Sequence, residues 1–247
     1  MKSNKAQLAA PAYRLPVFDQ DFLLGDSTRG LRFQLEYQKA EEYLRKWGVA
    51  TTVVVFGSAR IREGGPKGWY EQARQLGAII SERGGAKLNH IGPRQNVIAT
   101  GGGPGIMEAA NRGAYDVDAP SIGFNITLPA EQEPNPYSTP ELTFRFHYFA
   151  MRKMHFAMRA AALVVFPGGF GTFDELFEIL TLRQTRKMED ALPIILFDKA
   201  FWQSAVDLDH LAEAGMIHPD DLNLFGYADN AEMCWEMLLE RGMRIPS

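Results

Sequence analysis

The chain has 247 residues, enough for one large domain or two small ones, and its 46% hydrophobic content suffices for a buried core. The 26 basic and 30 acidic residues give a net charge of −4, which argues against a nucleic-acid-binding protein with a broad basic face. The single cysteine, Cys234, excludes a disulfide framework or a cysteine-rich zinc site within one chain. It also indicates a reducing compartment.

The first residues contain no apolar run as long as that of a signal peptide, and eighteen consecutive apolar residues occur nowhere in the chain. We therefore expect a cytoplasmic protein that does not act at a membrane. Residues 1 to about 30 are rich in Pro, Asp and Gly, which predicts an extended arm. The arm leads into a helix over 31–47 that ends at Gly48. We divide the chain into an N-terminal arm and helix, 1–48, and a main domain, 49–247.

After Gly48, short β-branched runs alternate with helical stretches. This alternation predicts an α/β fold, a Rossmann-like doubly wound parallel sheet with helices on both faces. The predicted strands are 51–56, 96–100, 121–128, 144–149, 162–166 and 193–197. Helices are predicted at 68–85 and 151–161, and the segment from Lys199 to the end is helical in pattern.

Two predicted strands run directly into glycine-rich turns that open helices, Thr100–Glu108 and Phe166–Glu175. Both turns follow the carboxyl ends of strands, where a helix N-terminus offers free N–H groups and partial positive charge to a phosphate. The third glycine of the dinucleotide fingerprint is replaced by Ile106 in the first turn and by Asp174 in the second, and neither turn has a Walker lysine. A single such turn is equally well a tight strand-to-helix connection, but two in one sheet favour phosphate binding.

The second turn carries a longer motif. Its sequence P-G-G-F-G-T-F-D-E, from Pro167 to Glu175, resembles the P-G-G-x-G-T-x-x-E motif of the LONELY GUY family of cytokinin riboside 5′-monophosphate phosphoribohydrolases. The pair Arg152-Lys153, fifteen positions before Pro167, resembles a pair that the family carries at the same offset. Gly101–Gly103 and Phe56–Ser58 also look like family turns, so the resemblance covers roughly residues 50 to 200.

The resemblance implies a Rossmann-like nucleotide-binding catalytic domain that forms a homodimer or a larger homo-oligomer and needs no metal or other cofactor. The implied reaction is hydrolysis of the N-glycosidic bond of a nucleoside 5′-monophosphate, AMP or a cytokinin riboside monophosphate. Members have often been labelled lysine decarboxylases, but pyridoxal phosphate chemistry needs a Schiff-base lysine, and no lysine stands in such a context. The alternative is a non-catalytic carrier or sensor of a phosphorylated ligand such as a pterin cofactor.

The resemblance makes Arg152 and Glu175 the catalytic candidates. A guanidinium can anchor phosphate or ribose oxygens, whereas an isolated arginine on a helix is usually a solvated surface residue. Glu175 also fits a capping box with Thr172, in which both side chains satisfy backbone N–H groups and have no role in catalysis. The pattern alone favours the cap, and the whole motif favours catalysis.

The remaining candidates are substrate-binding residues. Glu131 is an equal contender for the position of Glu133, and Thr181 is by default an ordinary helix threonine. The five histidines show no metal-binding spacing, so no metal site is predicted. The predicted substrate-binding residues are Ser58, Gly101, Gly102, Gly103, Gly105, Glu133, Lys153, Gly168, Gly169, Phe170, Gly171, Thr172, Asp174 and Thr181.

Overall fold

The computed structural model of the chain describes residues 2–87, 92–128, 133–188 and 192–246. Glu131 lies outside these residues. The helices are α1 (Lys5–Ala9), α2 (Gln20–Leu24), α3 (Arg29–Lys46), α4 (Trp69–Arg83), α5 (Ile106–Asp116), α6 (Phe149–Met158), α7 (Phe170–Gln184), α8 (Lys199–Ala205), α9 (Leu208–Glu213) and α10 (Ala231–Glu240). The strands are β1 (Thr52–Phe56), β2 (Val97–Thr100), β3 (Ser121–Ile126), β4 (Thr143–Phe146), β5 (Ala160–Val165), β6 (Ile194–Phe197) and β7 (Gly226–Ala228).

The seven strands form one parallel sheet in the order β4-β3-β2-β1-β5-β6-β7. This confirms the α/β, Rossmann-like prediction. β1 is buried along its whole length, as its apolar β-branched sequence predicts for a strand covered on both faces. Val54 of β1 stands opposite Ala99 of β2 on one side and Leu163 of β5 on the other.

The direction in which the chain crosses the sheet reverses between β1 and β5. The chain winds outward from β1 to β4 and then returns to the other side of β1 to build β5, β6 and β7. At such a switch point the loops that follow the two central strands diverge. They leave a crevice outside the carboxyl ends of the strands, where ligands bind in folds of this type.

Helices cover both faces of the sheet. α4 packs between α5 and α10, and α3 packs on α6. Right-handed crossovers place α6 on the face opposite α4. The α4–α5 contact is close because glycines stand at the crossing: a Cβ atom on Gly77 would overlap the carbonyl of Ala110, and one on Gly113 would overlap the carbonyl of Arg74.

Two sequence predictions fail near the chain ends. The segment after Lys199 is not wholly helical, because Gly226–Ala228 pairs with β6 as a three-residue strand too short to show a periodicity. The N-terminal arm is not extended, since it contains α1, α2 and short 3-10 turns. Local hydrogen bonds stabilise these turns; the Asp19 carboxylate, for example, accepts from the amide of Phe22 at 3.2 Å and caps α2. No described helix is long and apolar enough to cross a membrane.

Two further boundaries differ around α6. The strand predicted over 144–149 ends at Phe146, and the helix predicted over 151–161 begins at Phe149 and ends at Met158. The last residues of the predicted helix belong to β5 instead, because Ala160 pairs with Thr52 of the central strand β1. Pairing with a strand that is distant in sequence therefore outweighs the local helical pattern.

Candidate active site

A cavity of about 990 Å³ opens at the switch point, beyond the carboxyl ends of β1 and β5. The turn after β1, residues 57–61, forms one wall, and residues 167–175 form another. Arg152 of α6 and Phe201 of α8 also line the cavity. The fold thus brings together segments that are more than a hundred residues apart in the chain.

The N-terminus of α7 faces this cavity. The amides of Thr172 and Phe173 donate to the Gly169 carbonyl at 2.9 and 3.0 Å, so the amides of Phe170 and Gly171 lie ahead of the first intrahelical bonds. A Cβ atom on Gly171 would meet nothing within 4 Å, and the same holds for Gly169. Because packing does not require glycine there, the open space and free amides form a cradle suited to an anion.

Gly168 has a different role within the same motif. A Cβ atom on Gly168 would overlap the side chain of Thr172, so packing alone explains this glycine. Gly168 and Thr172 both line the cavity. Of the three glycines of the motif, Gly168 therefore allows the turn to pack, whereas Gly169 and Gly171 leave open space beside the helix N-terminus.

Glu175 lies in α7 behind the anion cradle, 7% exposed, and lines the cavity. Burial raises the pKa of its carboxyl from 4.5 to about 7, against the opposing effects of Arg152 and Lys153. The capping-box interpretation is wrong, because Gly169 is the N-cap and α7 has no side-chain cap. Thr172 and Glu175 are the third and sixth residues of the helix and lie beyond the capping position.

Arg152 lies on α6 and approaches the cavity from the other side. Burial lowers the pKa of its guanidinium, and the nearby Glu175 carboxylate opposes that shift. Its Nε is buried without a hydrogen-bond partner, and a Cβ atom on Gly101 would stand 2.5 Å from Nη2. The alternative of a solvated surface arginine is therefore wrong. Within the described residues, neither Arg152 nor Glu175 has an ion-pair partner within 4.0 Å.

Lys153 and Thr181 do not line this cavity. The Nζ of Lys153 forms ion pairs with Asp174 and Glu178, at 2.8 Å each. The Thr181 hydroxyl donates to the carbonyl of Phe177 at 2.7 Å. Both residues border a neighbouring shallow groove along α7, to which Phe170 and Asp174 also contribute. Phe170 and Asp174 thus line both the cavity and the groove.

The first glycine loop lies behind the cavity and not in its wall. Gly102 and Gly105 have positive φ angles of 69° and 73°, which favour glycine. The carbonyls of Gly102 and Gly103 accept hydrogen bonds from the amide and the side chain of Asn135, at 2.8 and 3.1 Å. Gly105 packs against the turn at Ser58, which lines the cavity. Glu133 is exposed and is not among the lining residues.

Several lining residues were not predicted from the sequence. Arg60 could have been recognised, because it follows Ser58 by two positions in a turn at the carboxyl edge of the sheet. Trp69 and Phe201 come from α4 and α8, and their rings meet edge to face at 6.0 Å. The Trp69 indole donates to Asp198 at 2.9 Å, which fixes the ring. The unpredicted lining residues are Phe56, Gly57, Ala59, Arg60, Ile61, Trp69, Met107, Phe149, Pro167, Phe173, Phe201 and Ala205.

The family model described as "Possible lysine decarboxylase" matches residues 107–238, just over half of the chain. The chain belongs to the family of this model, which is the LONELY GUY family. A rice relative (Oryza sativa subsp. japonica), named "Probable cytokinin riboside 5'-monophosphate phosphoribohydrolase LOG4", is 26% identical over 187 residues, 74% of each chain. The "Pyrimidine/purine nucleotide 5'-monophosphate nucleosidase" of Escherichia coli strain K12 is 33% identical over 123 residues, 44% of this chain and a quarter of the bacterial protein.

Among solved structures, the X-ray structure of TM1055 superposes with a TM-score of 0.53 at 19% identity. The match covers 77% of this chain and 99% of that one, and it supports the fold of this LONELY GUY family protein. A molybdenum cofactor binding protein from Rippkaea orientalis gives a TM-score of 0.49 at 20% identity, over 77% of this chain and 96% of that one.

The decarboxylase description would imply pyridoxal phosphate, which forms a Schiff base with a lysine. No described residue that lines the cavity is a lysine. Lys153, the nearby candidate, is held by two carboxylates outside it. The residues present therefore do not fit that cofactor. Among the described residues, no three His, Cys, Asp or Glu side chains cluster as metal ligands would.

Proposed function

We propose that this protein hydrolyses the N-glycosidic bond of a nucleoside 5′-monophosphate, AMP or a cytokinin riboside monophosphate, to free base and ribose 5-phosphate. The observation that carries the proposal is the buried Glu175 carboxylate, which lines the cavity behind the free amides of Phe170 and Gly171 and close to Arg152. The names of the rice and E. coli relatives support the same class of substrate.

In this proposal the 5′-phosphate binds at the N-terminus of α7, where the helix dipole and the amides after Gly169 favour an anion. Arg152 binds phosphate or ribose oxygens in two-pronged fashion. The other proposed contacts on the cavity wall are Ser58, Gly168, Thr172 and Asp174. The first glycine loop supports these contacts from behind by packing against Arg152 and Ser58.

The reaction requires that the bond between the base nitrogen and C1′ of the ribose breaks. The bonding electron pair leaves with the base, and positive charge develops on the sugar. An ionised Glu175 carboxylate stabilises that charge and accepts a proton from the water that attacks C1′, while the base takes up a proton. Anchoring the phosphate fixes the sugar for this attack, so nucleosides without phosphate should react poorly.

The direct test is to incubate the purified chain with AMP, GMP, CMP, UMP and isopentenyl-AMP and to measure free base and ribose 5-phosphate by chromatography. Release of base from at least one nucleotide, and not from adenosine, supports the proposal. Nucleotide binding without base release from any of them would contradict it and would favour the carrier or sensor alternative.

Replacing the carboxylate tests its role. We expect Glu175→Gln to lower the rate constant by on the order of 100-fold or more while nucleotide affinity stays nearly unchanged, because the carboxylate acts mainly on the transition state. Glu236→Gln, which changes an exposed carboxylate of α10 away from the cavity, is the control and should retain turnover. Near-normal turnover by Glu175→Gln would refute the catalytic assignment.

We further propose that the protein acts in the cytoplasm as a homodimer or larger homo-oligomer. The single cysteine, which is free and buried, agrees with a reducing compartment. We also propose that residues 49–247 form the catalytic domain and residues 1–48 an N-terminal extension to it.

A further inference from the structure

Helix α3 belongs to the N-terminal segment and lies outside the residues matched by the family model. It nevertheless contacts α6, the helix that carries Arg152, and the residues that flank α6 on both sides. The Phe33 and Tyr148 rings meet at 4.3 Å, and Tyr37 stacks on His155 at 5.5 Å. The two helices thus meet side by side, and polar contacts anchor both ends of α6.

At its N-terminal end, α6 has no side-chain cap of its own. The Glu36 carboxylate of α3 instead holds the backbone that leads into the helix: it accepts from the amide of His147 at 2.9 Å and from the amide of Tyr148, the N-cap residue, at 3.2 Å. A negative charge at a helix N-terminus also interacts favourably with the helix dipole. The start of α6 is therefore held by a residue 111 positions earlier in the chain.

At its C-terminal end, α6 is followed by Arg159, whose guanidinium donates two hydrogen bonds to the Glu41 carboxylate at 2.7 and 2.8 Å. Arg45 donates a third at 2.8 Å. Glu41 is only 3% exposed, and the Arg159 side chain holds the pKa of its carboxyl below the ordinary value. A buried two-pronged pair of this kind has one favourable geometry, so it fixes the helix end in position.

Arg152 lies between these two anchors. No hydrogen bond to a described residue holds its guanidinium, and its Nε is buried without a partner. The guanidinium lies over the ring of Phe156, 5.4 Å from its centre, and Phe156 is on the same helix, so its location in the cavity follows the position of α6. We propose that α3 is a positioning element for the active site, in which Glu36 and Glu41 hold α6 so that Arg152 faces Glu175. Only the role of Arg152 in turnover rests on the proposed function; the positioning of α6 by α3 does not.

The test compares Glu36→Ala with Glu42→Ala, a matched control on the same helix whose side chain is exposed. We expect Glu36→Ala to lower kcat/KM for AMP on the order of tenfold or more, because small displacements of a positioning group are costly in rate. Glu36→Gln should recover part of the loss, since its amide oxygen still accepts a hydrogen bond. Glu42→Ala should behave as the wild type.

A double mutant shows whether the effect acts through Arg152. If Glu36 only positions Arg152, Glu36→Ala added to Arg152→Ala should lower kcat/KM no further than Arg152→Ala does. Fully additive effects, or wild-type kinetics for Glu36→Ala, would overturn the proposal. If Glu36→Ala does not fold, Glu36→Asp replaces it, because the shorter carboxylate cannot reach both amides.

Amide hydrogen exchange and nucleotide binding give readouts that do not need turnover. Exchange in residues 149–158 should be faster in Glu36→Ala than in Glu42→Ala, and AMP affinity measured by calorimetry should be lower. Absence of base release by the wild type would refute the proposed function alone. In that case weaker AMP binding by Glu36→Ala supports the positioning role, and equal binding overturns it.

Discussion

Burial of the Glu175 carboxyl couples stability to pH. Its pKa rises from 4.5 to about 7 on folding, so between these values the folded chain holds a proton that the unfolded chain has released. The stability of the fold therefore falls as pH rises through this window. At about 1.4 kcal/mol per pKa unit, the full cost above pH 7 is on the order of 3 kcal/mol.

We therefore expect Glu175→Gln to melt at a higher temperature than the wild type at pH 8 and at nearly the same temperature at pH 4.5. The neutral amide removes the cost of the buried charge. Melting curves followed by circular dichroism across this range check the prediction. A difference in melting temperature that does not grow with pH would mean that the carboxyl titrates normally.

In the proposed mechanism the ionised Glu175 carboxylate is the active form. On that proposal kcat/KM should rise about tenfold per pH unit below pH 7 and level off above it. The fold is thus least stable in the pH range in which the proposed catalytic carboxylate is ionised.

Two glycines in one motif should respond oppositely to the same substitution. Gly171→Ala places a methyl group in open space and should leave the melting temperature nearly unchanged, but it should weaken AMP binding because the methyl group occupies the anion cradle. Gly168→Ala forces an overlap with Thr172 and should destabilise the fold by about 1–3 kcal/mol. Calorimetric binding and thermal melting of both variants test this. Normal AMP affinity in Gly171→Ala would exclude the cradle.

At the level of residues, the sequence motif leads to Glu175 and Arg152, which line the cavity, and to Lys153 and Thr181, which border the neighbouring groove. Lys153 follows Arg152 by one position, about 100° around α6, and its Nζ pairs with Asp174 and Glu178 at the groove. Thr181 is six positions after Glu175, about 240° around α7, and borders the groove instead. Trp69 and Phe201 have no signal in the sequence, because only tertiary packing brings them to the site.

Among the elements, the α4–α5 contact should tolerate no added volume. Gly113→Ala places a methyl group against the α4 backbone and should destabilise the fold by about 1–3 kcal/mol. Gly30→Ala, in α3, is the control: its added methyl group meets nothing within 4 Å, and alanine should stabilise the helix by up to about 1 kcal/mol. Urea unfolding of both variants measures the difference. Equal effects would contradict the packing argument.

Elements are predictable from the sequence where their own residues determine them. β1 and β6 follow from apolar runs that are buried on both faces, and their predicted bounds lie within one residue of those observed. β7 has only three residues, one of them glycine, and depends on the edge of β6. Glu36 accepts hydrogen bonds from two amides at the start of α6, a long-range contact that no local pattern can reveal.

For the whole molecule, the exposed apolar side chains support the proposed oligomer. Phe170 is 97% exposed at the site entrance, and Phe18 and Leu24 in the N-terminal segment are 76% and 71% exposed. Five large apolar side chains are exposed between Leu15 and Leu24, and an exposed group of this kind favours contact with another surface. We expect light scattering to give at least twice the chain mass of 27.7 kDa. A single species at the chain mass, at micromolar concentration, would contradict the proposal.

The winding of the sheet also sets when the cavity can exist during synthesis. β1 is synthesised early, but its neighbour β5 lies more than a hundred residues later in the chain. The amides that donate to Glu36 are likewise synthesised more than a hundred residues after it. A ribosome-bound chain that ends near residue 150 holds β1 to β4 with one side of the central strand unpaired. Such long-range closure slows folding and exposes an edge to aggregation. One edge of the central strand therefore stays open to other chains until β5 is made.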